Sequence, residues 1–112
     1  MKSEELGNNY LNEALQIQLS NKPITSKYLD LKRLVETIAF EITKNEALQF
    51  SNFFSKLSFI ANQYKVSTKI HSFRKTAQRI LSEKYEPTEH EYYTHYKYVI
   101  EFISSIYDVL IP

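Results

Sequence analysis

The chain has 112 residues, 43% apolar and 24% charged, with a net charge of +1, the composition of one globular domain with a modest core. It has no cysteine and a single glycine, Gly7. Disulfides, thiolate chemistry and Cys-based zinc sites are therefore excluded, as are phosphate-cradling loops and tight hairpins, which need glycine backbone.

The predicted fold is all-α: one domain over residues 1–112, a small bundle of four main helices in 25–110 behind a weaker leading helix and linker in 1–24. The leading helix is expected to be short, around Tyr10 to Leu19, with Leu11, Ala14 and Leu15 inward. Pro23 closes it. The next helix runs from about Ser26 to Lys44, where Tyr28, Leu31, Val35, Ile38 and Ile42 recur at helical spacing and Thr25 or Ser26 can cap the start. A third covers about Asn45 to Tyr64, with Phe50, Phe53, Phe54, Leu57, Ile60, Ala61 and Tyr64 on one side. Phe59 points the other way and needs a neighbour or a partner.

From Ser67 to Lys84 the stripe Val66, Ile70, Phe73, Ala77, Ile80 and Leu81 predicts an amphipathic helix. The last helix opens at "EPTEHE", where Thr88 and Glu91 complete a capping box behind Pro87, and continues through Asp108. It carries two apolar rows: Tyr93, Tyr96, Ile100, Ile103, Tyr107 and Leu110, then Tyr92, Val99, Phe102 and Ile106. An edge helix needs only a stripe of about 100°, so this one is either central or shared with something outside the bundle. The apolar ending "IYDVLIP" is what a piece of a longer protein, or one half of a dimer, would show. The polar start "MKSEELGNNYLNEAL" is no signal sequence, and no apolar run approaches the roughly 18 residues of a membrane span. A cytoplasmic chain without a membrane partner is the default expectation.

Charge is unevenly spread. Residues 1–46 carry a net −1, residues 47–82 hold six bases and no acid, and residues 83–112 carry −4. On the fourth helix His71, Arg74, Lys75, Gln78, Arg79 and Ser82 share an arc of about 140° opposite the apolar stripe. Together with Lys69 this arc is the candidate nucleic-acid surface, because a basic helical face can dock along phosphates. The plainer alternative is a solvated face, partly neutralised by Glu86, Glu89, Glu91 and Glu101. Tyr92, His95, Val99, Phe102 and Ile106 form the candidate protein interface, where a homodimer or the rest of a longer chain would pack. An interaction domain of that kind predicts an exposed apolar strip along this row. Tyr98 faces elsewhere and is the best candidate for an exposed ring.

His90 and His95 are five residues apart, about 140° round a helix, so they do not converge on a metal. His95 reads better as a hydrogen-bonded histidine in a core or interface. There is no nucleophile elbow and no acid pair placed for catalysis. Neither a catalytic residue nor a cofactor is expected.

"KIHSFRKTAQRIL" followed by "EPTEHEYYTHYKYVIEFISSIY" resembles HEPN-like helical domains, in which an arginine-bearing helix is followed by an acidic turn and a long aromatic helix. With "KPITSKYLDLKRLVE", residues 20 to 108 look like the helical region preceding the motor of some bacterial superfamily I helicases. The resemblance implies a non-catalytic accessory or interaction domain, with any ATP hydrolysis in a motor C-terminal to this chain. Catalytic HEPN proteins place a histidine four to six residues after the arginine. Arg74 and Arg79 have none in that window, so the resemblance implies no ribonuclease activity. A nucleic-acid-binding module and a stand-alone homodimerising bundle are the alternatives.

Overall fold

The computed structural model describes residues 3–44 and 52–108. Five helices follow in order: α1 (Ser3–Leu19), α2 (Ile24–Thr43), α3 (Phe53–Tyr64), α4 (Ile70–Glu83) and α5 (Glu89–Tyr107), with no strand among the described residues.

The leading helix begins earlier than expected. Glu4 and Glu5 sit in its first turn, where carboxylates complement the positive helix end. Leu6 packs on the core and Gly7 is buried, so the inward stripe extends through Tyr10 and Ala14 to Ile17. Leu15, about 100° from Ala14 on the wheel, is exposed rather than inward.

Helix α2 buries Tyr28, Leu31, Leu34, Val35, Ile38, Ala39 and Thr43. Neither Thr25 nor Ser26 caps it. Pro23, with ψ 156°, occupies the cap position without a side-chain bond, and its carbonyl accepts the Lys27 N–H at 3.1 Å. The expected start of α3 at Asn45, and Phe50 with it, lies outside the described residues. The described helix is capped by Asn52, whose side chain accepts the Ser55 N–H at 2.8 Å. The capping box of α5 forms as expected: Thr88 Oγ1 accepts the Glu91 N–H at 3.1 Å, and Glu91 Oε1 accepts the Thr88 N–H at 3.4 Å.

Helix α5 is central, packing against α1, α2 and α4, while α3 packs against α2 and α4. That placement is the central one of the two alternatives the apolar rows allowed, and it does not leave open the strip that an interaction domain would expose. Tyr92, His95, Val99 and Phe102 are buried and Ile106 is half-buried. The rows are needed inside because three helices cover them. Tyr93 is the exposed edge of the aromatic set, and Leu110 lies outside the described residues. Leu57, Ile60, Ile70, Phe73, Ala77 and Ile80 complete the core. Phe59 finds its neighbour within the chain, being half-buried against that core. Three side chains assigned inward, Phe54, Tyr64 and Leu81, instead face solvent, since stripes this narrow leave their outer members outside.

Scarcity of glycine leaves a mark at the helix ends. Lys65, Lys84 and Asp108 terminate α3, α4 and α5 in the left-handed conformation, with φ of 54°, 54° and 51°. Glycine is the usual occupant there because Cβ crowds the backbone. Lys84→Gly is expected to raise unfolding stability by about 0.5–1 kcal/mol, the strain relief being partly offset by a looser unfolded chain. A urea titration of the variant against wild type reads this directly.

Candidate functional site

Two constellations bring polar side chains together. The first is inside. Tyr28 of α2 is wholly buried, stacked on Phe73 at 5.9 Å between ring centroids and edge-on to Tyr92 and His95 at 5.6 Å each. Its hydroxyl lies 2.5 Å from His95 Nδ1, and His95 Nε2 lies 3.1 Å from Ser72 Oγ. One chain of hydrogen bonds thus joins α2, α5 and α4.

Its protonation follows from burial. Burial pushes the Tyr28 phenol up, with Glu91 adding to the effect, so the hydroxyl keeps its proton and must donate it. His95 is pushed down, chiefly by burial against a smaller opposing pull from Glu91, and is neutral at pH 7. Tyr28 therefore donates to Nδ1, and Nε2 carries the imidazole hydrogen and donates to Ser72. A serine that accepts from its histidine is not activated as a nucleophile, since the base must offer a lone pair to the hydroxyl.

His71 follows the same logic. Arg74 Nε donates to His71 Nδ1 at 3.3 Å, which leaves the ring hydrogen on Nε2, 3.5 Å from Ser58 Oγ. Neither Ser–His contact is a catalytic pair. His90 is exposed, and no group of three or more His, Cys, Asp or Glu converges among the described residues.

The second constellation is the basic face of α4. Glu86, Glu89, Glu91 and Glu101 offered one way to neutralise it in part; among the described residues none of them forms an ion pair with an α4 base. Glu91 is engaged instead by its own cap and by the Tyr85 hydroxyl at 2.6 Å. The bases lie against rings. The Arg74 guanidinium carbon is 5.0 Å from the Phe54 centroid, Lys69 Nζ is 5.6 Å from Tyr98, and the Arg79 guanidinium is 3.9 Å from Tyr85. Tyr98, expected as the exposed ring, is half-buried and touches His95 at 5.7 Å. Arg79 alone of the set also meets a carboxylate, Glu83 on its own helix at 3.0 Å. Lys75 is exposed. His71 is held below its usual range by partial burial and then by Arg74 and Lys75, so it adds an uncharged ring rather than a cation.

Five predicted residues are thereby placed on one helix: His71, Arg74, Lys75 and Arg79 along its outer face and Lys69 at its start. Phe54, Ser58 and Tyr85, which frame that face, were missed. The doublet Phe53–Phe54 held the one available signal. Adjacent positions are about 100° apart on a helix, so a narrow stripe takes only one of them. No helix among the described residues is long and apolar enough to cross a membrane. No protein-family model matches the chain, and neither a curated protein nor a solved structure matches it significantly.

Two outcomes follow from the buried chain. Tyr28→Phe removes a donor and strands His95 Nδ1, and is expected to cost about 1–3 kcal/mol. Tyr92 Oη is buried without a hydrogen-bond partner among the described residues, so Tyr92→Phe is expected to be neutral or stabilising; chemical denaturation of the pair is the check. Both lowered histidines also make stability depend on pH. The unfolded chain takes up protons near its ordinary value of ~6.5 before the folded chain does. Stability is full above that pH and is lost as pH falls below it. The urea midpoint should drop between neutral and mildly acidic pH, and by less in His95→Gln.

Proposed function

We propose that the chain is a non-catalytic helical module that binds nucleic acid along the outer face of α4. The observation that carries this reading is the absence of any acid between Ala47 and Ser82, combined with bases at Lys69, Arg74 and Lys75 that meet no carboxylate among the described residues. Cations resting on rings keep their charge, whereas cations paired with carboxylates lose most of their reach. Arg74, Lys75 and Arg79 extend over about 7.5 Å of helix axis, with Lys69 at the start of the helix beside Tyr98, a spread of charge suited to a polyanion rather than to one small anion. The chain as a whole is nearly neutral, so attraction is local and an affinity in the micromolar range is expected.

The resemblance of residues 20 to 108 to helicase-leading helical regions is compatible with this role. In that context the module would hold nucleic acid for a motor elsewhere. A protein-interaction role through the α5 row has less support, since most of that row is consumed by the bundle's own core.

The test is an anisotropy titration of a dye-labelled oligonucleotide across a salt series. Binding should weaken steeply with salt, and Lys69→Ala with Lys75→Ala should flatten the log–log slope by roughly one for each cation removed. Absence of binding at low salt, or a slope unchanged in the double variant, refutes the role.

A further inference from the structure

The geometry points to single-stranded nucleic acid as the ligand, with one base stacked on Phe54; this deepens the binding role proposed above and rests on it. Phe54 stands in the first turn of α3 with 52% of its surface open to solvent. Most exposed apolar residues need no explanation, but this ring is held in place by α4. The Arg74 guanidinium lies 5.0 Å from its centroid, and the His71 ring lies 5.1 Å away, tilted by 42°. Arg74 and His71 are themselves bonded at 3.3 Å, and Ser58, one turn along α3, lies 3.5 Å from the other nitrogen of His71.

The aromatic surface is thus ordered before any ligand arrives, which lowers the entropic cost of using it. It also lies beside Arg74, which meets no carboxylate among the described residues, and Lys75 is near enough to act on the adjoining His71. A ligand matching both features has flat π-faces strung on a negatively charged backbone. Single strands present base faces to such a platform, whereas a duplex keeps them stacked internally.

A second exposed ring, Phe40, shows what this combination is not. Lys56 lies 5.9 Å from it, and with Glu36, Thr37, Asn52 and Phe53 the pair lines an open cavity of about 480 Å³. Glu36 puts a carboxylate in that cavity and already holds Lys32 at 2.6 Å. At the Phe54 ring, by contrast, Arg74 meets no carboxylate among the described residues and a second ring, His71, adjoins the open surface.

The chain contains no tryptophan, so Phe54→Trp introduces a single fluorescent reporter at the platform. The 112-residue chain is titrated with a short homopyrimidine single strand, as DNA and as RNA, and with a hairpin duplex of equal charge. The expected result is quenching of the introduced fluorophore by single strands but not by the duplex. In parallel, Phe54→Ala should weaken single-strand binding by about 5- to 150-fold, the range measured for loss of one stacked base, with the salt slope unchanged. Single strands and duplex both bound in a salt-dependent way, with neither quenching nor a Phe54→Ala effect, would overturn stacking while leaving the phosphate-binding role intact. No binding of any probe at low salt would overturn both. Equal weakening of strand and duplex by Phe54→Ala, without quenching in Phe54→Trp, would make Phe54 a mere support for Arg74 and also overturn the proposal.

Discussion

The arrangement of the bundle depends on satisfying one buried phenol. Tyr28 is fully enclosed, and an enclosed hydroxyl without a partner would cost about as much as several buried methylenes contribute. His95 supplies the partner from α5, and Ser72 supplies the partner for His95 from α4. Because these bonds are directional, they fix the rotation of three helices about their own axes in a way that oily contacts alone do not. The stacking of Tyr28 on Phe73 and its edge contact with Tyr92 depend on the same rotation. Once α4 is turned so that Ser72 meets His95, its basic residues have only the opposite side left to them.

That rotation links packing to the outer face. With α5 central and α3 lying against α2 and α4, the acids of the last helix form no ion pair with the bases of α4 among the described residues, and Glu91 acts on Arg79 only through space. Tyr85 and Phe54 meet two of those bases, and Tyr98 meets Lys69 at the helix start. Rings attract cations through their quadrupole while leaving the net charge in place, so this face is organised without being neutralised. The local surplus of six bases over residues 47–82 therefore survives folding largely unspent. The retained charge is carried on a face that the rings beside it hold in order.

Much of the fold was legible beforehand. Spacing in α2, α4 and α5 located those helices to within a few residues, and Thr88 with Glu91 marked the start of α5 because a capping box is encoded within four consecutive positions. The α4 arc was legible for the same reason, since residues on one helix keep their mutual angles wherever the helix goes. Misses fell where a residue's surroundings come from elsewhere in the chain. The start of α1 escaped notice because Leu6 and Gly7 gain their value only when covered by other helices. Leu15, Phe54, Tyr64 and Leu81 were assigned inward because periodicity reports direction but not how wide a strip the neighbours cover.

By itself, then, the sequence determined an all-helical chain, an uncompensated basic segment and a last helix with too much apolar surface for an edge position. All three are local properties, set by residue type and by angles along one helix. Tertiary structure decided that this excess surface faces inward, that a tyrosine and a histidine 67 residues apart become hydrogen-bond donor and acceptor, and that Arg74 rests on the Phe54 ring and Arg79 on the Tyr85 ring. Those outcomes depend on which helices become neighbours and how each is turned, and that is settled by the joint burial of all five rather than by any one stretch.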